Sequence, residues 1–372
     1  MTDAIPYAVE DLTDAWLTRV LRSNGAIEAV RVVDRAIEVL PQQGAVATLY
    51  RIGLSYDGVA SAAPSSLIAK CAATNDAMRK LANAVGIYRR EAKFYGELAD
   101  DAGISVPGCY FAGYDPDEGR FLLLLEDLAP SRTGSAAASR VQDVADAVDV
   151  LAAFHARWWR SRRLAELGWL LPADDPTLVQ AQQDRLGRAV SEVRRRFPDA
   201  FAPALAEVAH RLATNYSPAA SMLASSPQTL VHGDFHTQNL FFPSRAGGRF
   251  AVVDWQMLAR RAGPIDLACL LSFSLSPQDR RSVESALVEQ YHRTLMGAGV
   301  RDYSLVECWR DYRLGIVPRV LTHVMGIAVW DERAAAQYEG TGVTFTDVML
   351  TRLDAFIEDH DVLSLLDRPV RG

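Results

Sequence analysis

Apolar and polar positions alternate in the first third of the chain and recur every three to four residues beyond it. Ala47–Leu54 and Ser66–Lys70 are β-like runs separated by the turn residues Tyr56-Asp57-Gly58, within a stretch from Ala36 to Ala72 that predicts antiparallel sheet. A short helix is expected over 10–24, with Leu12, Trp16 and Leu17 on one side. Over 76–100 the spacing changes, and Tyr88, Glu91, Tyr95 and Leu98 fall on one helical face. Two more strands follow, from Cys109 and from Arg120 to Leu125, across the turn Asp115-Pro116-Asp117-Glu118-Gly119. After Glu126-Asp127-Leu128 helical periodicity dominates, over 140–165, 176–196, 200–225, 277–297 and 303–333, interrupted by a β-like pair at 229–242 and 249–255. The expected fold class is α+β, with a small antiparallel-sheet lobe (1–126) and a larger, mainly helical lobe (127–372).

A chain of 372 residues suits such a two-part organisation. The net charge of −7 argues against a general nucleic-acid-binding face. The four cysteines, Cys71, Cys109, Cys269 and Cys308, form no CxxC pair, as expected of reduced thiols in a cytoplasmic protein. The N-terminus lacks the basic start and apolar run of a signal peptide. No apolar stretch approaches the roughly 18 residues of a membrane span.

One run breaks the pattern. LVHGDFHTQNLFF (230–242) places His232, Asp234 and His236 at alternate positions, with Asn239 five residues after Asp234. A second β-like run, from Phe250, ends in Asp254-Trp255-Gln256. Adjacent pairing of the two runs would bring Asp234, Asn239 and Asp254 together. Oxygen ligands of this kind suit Mg2+, and a carboxylate near the ion but not bound to it suits a base that orients a hydroxyl. Phosphoryl transfer from ATP requires that combination.

His232-Gly233-Asp234 with Asn239, followed by Val253-Asp254-Trp255-Gln256, resembles the catalytic core of the aminoglycoside phosphotransferase and choline kinase superfamily, whose members have a protein-kinase-like fold and phosphorylate small molecules. The Asp-Trp-Gln ending, Leu123–Leu128 and Phe154-His155-Ala156 are most similar to the ecdysteroid-kinase-like branch. The resemblance implies that Asp234 is the catalytic base, that Asn239 and Asp254 hold Mg2+, that His232 braces the catalytic loop, and that Asp266 is a buried brace for the same loop. Protein kinases usually carry lysine where this chain has His236, which argues against a protein substrate.

A kinase of this fold also needs a strand lysine for the phosphates of ATP and a helical glutamate to hold it. Lys70, at the end of Leu67-Ile68-Ala69-Lys70, and Glu91 are the candidates. Gly44 and Thr48 belong to the candidate phosphate-covering loop, which has a single glycine. Glu126 and Leu128 lie where the fold contacts adenine. The acceptor is expected to be a small-molecule hydroxyl: a lipophilic, sterol-like alcohol, an amino alcohol or an aminoglycoside. Trp330, with other aromatics, could line an apolar pocket, while Asp331, Glu332, Glu339 and Asp347 could hold a polyamine. Two other readings stand beside this one: a degenerate nucleotide-binding pseudokinase, and a metallohydrolase using His232, Asp234 and His236.

Overall fold

The computed structural model describes residues 5–40, 46–59, 61–135, 139–197, 201–328 and 344–367. The chain divides into two compact units: Met1–Arg132 with Pro243–Met257, and Thr133–Phe242 with Leu258–Gly372. The first unit is therefore built from two separate stretches of sequence.

Its centre is a five-stranded antiparallel sheet in the order β1-β2-β3-β5-β4, formed by β1 (Val32–Val39), β2 (Ala47–Tyr56), β3 (Ser66–Ala72), β4 (Cys109–Asp115) and β5 (Arg120–Glu126). The two-residue side-chain period divides β3 between the faces of the sheet. Leu67, Ala69 and Cys71 join Leu122, Leu124 and Ile52 in a core closed by Trp16, Leu17 and Leu21 of helix α1 (Asp14–Ser23). Ile68 and Lys70 consequently point to the other face.

The helix expected over 76–100 is two helices, α2 (Asp76–Ala84) and α3 (Ile87–Glu97). Gly86 between them has φ +72°, a left-handed conformation that ends the first helix and that glycine adopts without a Cβ penalty. Helix α3 buries Tyr88, Glu91, Phe94 and Tyr95.

Pro243–Met257 is tied to this unit by side chains and backbone. Val252 N–H donates to the Ser105 carbonyl at 2.9 Å, Arg90 Nε donates to the Gln256 carbonyl at 2.8 Å, and Trp255 stacks on Phe94 at 3.8 Å between ring centres.

The second unit is mainly helical: α4 (Val141–Trp158), α5 (Arg163–Glu166), α6 (Pro176–Arg196), α7 (Pro203–Thr214), α8 (Ser217–Ser225), α9 (Pro264–Ser274), α10 (Pro277–Gly297), α11 (Leu305–Leu314), α12 (Ile316–Ala328) and the helix Arg352–Asp359. The expected helix over 200–225 breaks before Ser217, and the one over 303–333 breaks at Gly315. A Cβ on Gly315 would come within 2.7 Å of Ala268 Cβ and 2.9 Å of Ile265 Cα, so glycine is what lets this turn sit against α9. Sequence periodicity gave no sign of α9, because all eleven of its residues are buried and it shows no polar face. No helix among the described residues is long and apolar enough to cross a membrane.

The β-like pair expected at 229–242 and 249–255 is fragmented. Thr229–Val231 pairs antiparallel with Ala259–Arg261, and a single 3-10 turn over Thr237–Asn239 precedes the short strand Leu240–Phe242. Asp234 thus sits on a loop after a strand end. Its position is fixed by side-chain bonds.

Candidate active site

Each unit holds one cluster of the residues singled out in the sequence. In the first, the Lys70 ammonium lies 2.8 and 2.7 Å from the two oxygens of Glu91 and 2.6 Å from Asp254 Oδ1. The strand period aims Lys70 at α3, and the helical period of α3 puts Glu91 on its buried face. Lys70 is 9% exposed and Glu91 1%. Burial by itself favours the neutral amine, but the charges of Asp254 and Glu91 outweigh it and hold the ammonium above its ordinary range. Burial pushes the Glu91 carboxyl upward, against the pull of Lys70.

Asp254 has φ +68°, in the left-handed region that costs a non-glycine residue about 1–2 kcal/mol. The strain is held by its neighbours: Oδ1 meets Lys70, Oδ2 accepts from Gln256 Nε2 at 3.1 Å, and the Gln256 carbonyl is anchored by Arg90. Strain of this kind tends to collect at functional sites.

The other expected nucleotide residues of this unit differ in accessibility. Gly44 lies outside the described residues. Thr48 is half-buried on β2 opposite Cys71. The Glu126 carboxylate is occupied by Gly108 N–H at 2.9 Å and Arg249 at 2.5 Å. Leu128 is buried, and its carbonyl accepts from Ser131 N–H at 2.8 Å.

In the second unit the loop 232–236 is held from several sides. Asp266, in the first turn of α9, accepts the His232 N–H at 2.6 Å and the Gly233 N–H at 2.8 Å. His155 Nε2 is 3.3 Å from Asp266, and its Nδ1 is 2.8 Å from the Tyr291 hydroxyl. His232 Nδ1 accepts the Asp234 N–H at 3.2 Å, and Asn239 Nδ2 donates to the Asp234 carbonyl at 3.0 Å. Gly233 has φ +83°, which a side chain there would resist. His236 stacks on Phe273 at 4.3 Å and lies 3.5 Å from Asp234 Oδ2.

One participant had not been singled out. Arg319, from α12, donates through Nη1 to Asp234 Oδ1 at 2.7 Å and through Nη2 to the Gly233 carbonyl. Burial alone would raise the Asp234 carboxyl, but His236 and Arg319 outweigh it and hold the group well below the usual carboxylate range. The sequence did carry a signal, since Arg319 and His323 stand four apart in the otherwise apolar helix IVPRVLTHVMGIA. His323 is pushed down to about 3 by burial, with Arg319 adding to the effect, and so is a neutral imidazole.

Among the described residues no group of three or more His, Cys, Asp or Glu side chains is placed to hold a metal ion. The metallohydrolase reading therefore gains no ligand cluster around His232, Asp234 and His236. Trp330, Asp331, Glu332 and Glu339 lie outside the described residues. Asp347 is exposed, and its carboxylate accepts from the backbone and hydroxyl of Thr344 at 3.0 and 2.8 Å.

Comparison with solved structures identifies the fold. A provisionally assigned aminoglycoside phosphotransferase from Ralstonia eutropha JMP134 matches with a TM-score of 0.56 at 14% identity, over 93% of this chain and 98% of that one. An ethanolamine kinase from Plasmodium vivax matches with a TM-score of 0.55 at 11% identity, over 94% and 89%. Choline kinase LicA from Streptococcus pneumoniae matches with a TM-score of 0.51 at 15% identity, over 93% and 97%, and a LicA structure in complex with AMP also matches. The fold is thus kinase-like, with an antiparallel-sheet unit and a larger helical unit. A search of curated proteins finds no match. The family model described as the phosphotransferase enzyme family, APH, matches residues 79–304, more than half of the chain and a span containing Glu91, Asp254 and the braced loop of Asp234: the chain belongs to that family.

Proposed function

We propose that this protein is an ATP- and Mg2+-dependent phosphotransferase that moves the γ-phosphoryl group to a hydroxyl of a small molecule. The observation that carries this reading is the buried ammonium of Lys70 bound by both Glu91 and Asp254. A lone lysine charge held by a helical glutamate is what the phosphates of a nucleotide require.

In this reading Lys70 positions the phosphates and Glu91 orients Lys70. Thr48 and Gly44 cover the phosphates, and Glu126 and Leu128 lie beside adenine. The AMP bound by LicA supports a nucleotide ligand. Asp234 orients the acceptor hydroxyl and receives its proton, while His232 and Asp266 keep the loop of Asp234 in place.

Asn239 and Asp254 would hold Mg2+, and their chemistry fits. Both offer oxygen, the donor Mg2+ takes. Asn239 spends its Nδ2 on the Asp234 carbonyl, which leaves the amide oxygen as its donor. Lys70, Glu91 and Asp254 together carry one formal negative charge in excess. When bound, the ion neutralises charge on the transferred phosphoryl group.

The proposed acceptors are a lipophilic, sterol-like alcohol, an amino alcohol or an aminoglycoside, with the ecdysteroid-kinase-like motifs favouring the first. A cytoplasmic location accords with the reduced cysteines. The test is a coupled nucleotide-consumption screen over alcohols, sterols, choline, ethanolamine and aminoglycosides, with Asp234→Asn as control. The expected variant binds Mg·ATP and transfers nothing. Normal turnover by Asp234→Asn would remove Asp234 from the base role.

A further inference from the structure

The two residues Gly233 and Asp234 have every backbone polar group tied. Gly233 N–H goes to Asp266, Gly233 C=O to Arg319, Asp234 N–H to His232 and Asp234 C=O to Asn239. The Asp234 side chain has one strong partner, Arg319, at Oδ1. Its other oxygen, Oδ2, has longer approaches among the described residues, 3.5 Å to His236 Nε2 and 3.5 Å to Asn239 Nδ2.

Arg319 is 1% exposed, whereas the side chain of Asp234 keeps 21% of its surface. Placing a guanidinium in the interior is costly, and a buried ion pair is weak support for stability by itself. What a planar fork offers that a point charge does not is two directed bonds at once. Here those bonds go to the carboxylate and to the carbonyl just before it, which fixes the side chain relative to its own backbone. Nη1 also reaches Cys269 Sγ at 3.2 Å, which orients the fork from α9.

The geometry points to Arg319 as the positioning residue of the phosphotransfer reaction: its guanidinium occupies Asp234 Oδ1 and the Gly233 carbonyl, so that Asp234 presents Oδ2 to the acceptor hydroxyl. The inference rests on Asp234 being the base and adds which of its oxygens works and what selects it. Arg319→Lys retains the charge but not the rigid planar fork that ties Asp234 Oδ1 to the Gly233 carbonyl, so the carboxylate gains freedom to rotate.

The test compares Arg319→Lys, Arg319→Ala, Asp234→Asn and Asp234→Asn/Arg319→Lys, using Mg·ATP with the acceptor that turns over in the screen or, failing that, with water. Arg319→Lys is expected to be folded by circular dichroism, to keep the KM for ATP, and to lose about 10²-fold in kcat, the usual cost of a misplaced group. Sub-denaturing guanidinium is expected to restore part of the activity of Arg319→Ala, and methylammonium is not. Asp234→Asn is expected to lose about 10³-fold, and adding Arg319→Lys to it should cost less than about 3-fold more, since the two residues act as one unit. If Asp234→Asn is inactive while Arg319→Lys keeps wild-type kcat, or if the two losses multiply, the role of Arg319 is overturned and the base survives. If Asp234→Asn is fully active, or the wild type turns over no nucleotide, the phosphotransferase reading falls and the inference with it.

Discussion

Lys70 Nζ lies 2.6 Å from Asp254 Oδ1, although 184 residues separate them. The contact closes within one unit because Pro243–Met257 belongs to the compact unit of the N-terminal sheet. Trp255, stacked on Phe94, and the Arg90 bond to Gln256 hold the segment in register, so that a backbone strained at Asp254 delivers its carboxylate to Lys70. Four predictions follow from this and related contacts.

Lys70→Met removes the cation that lies between two carboxylates, one of which is 1% exposed. Leaving a buried charge without its partner costs about 3–5 kcal/mol. Protonating Glu91 relieves that cost, so the deficit relative to wild type should shrink as pH falls from 7 to 5. Urea unfolding at both pH values measures it, and equal stability of the two proteins at pH 7 would contradict the pairing.

Asp254→Asn keeps the residue type that tolerates φ +68° and leaves Lys70 paired with Glu91. Stability should change by less than about 1 kcal/mol. Mg2+-dependent binding of ATP, followed by isothermal titration with and without the ion, should be lost. Undiminished binding would take Asp254 out of the proposed ion site.

Gly315→Ala isolates a steric effect, because Gly315 has φ −59° and suffers no backbone strain from a side chain. The added methyl meets Ala268 Cβ and Ile265 Cα, both inside 3.0 Å. Overpacking should cost about 1–3 kcal/mol. Adding Ala268→Gly should recover part of it in denaturant melts; if the double variant is no better than the single, the clash lies elsewhere.

His323, pushed down to about 3 from an ordinary value of 6.5, is neutral in the fold and protonates more readily once unfolded. Between those values the unfolded state holds the extra proton, so stability is full above about pH 6.5 and declines as pH falls toward 3. His323→Leu removes this contribution. Its unfolding midpoint should vary less than that of wild type between pH 7 and pH 4, and an unchanged pH dependence would show that His323 titrates normally.

Asp234, Asn239 and Asp254 could be picked out because polar residues inside apolar runs carry their own signal. Lys70 and Glu91 could be read because strand and helix periods state which face a side chain takes. Arg319 also stands in an apolar run, but nothing in that run names its partner, which is 85 residues away and is brought to it by packing. Helix α9 escaped because burial on all sides erases amphipathic periodicity, and the breaks at Gly86 and Gly315 escaped because one glycine in a helical pattern reads the same whether it continues a helix or ends it.

Local rules, in which each residue answers to neighbours within a few positions, thus determined the sheet-then-helix order of this chain, its family motif and the facing of Lys70 toward α3. Tertiary structure decided that Pro243–Met257 joins the first unit and that a buried guanidinium engages one oxygen of Asp234. Those are long-range contacts, and their free energy comes from excluding water around partners that the sequence keeps far apart.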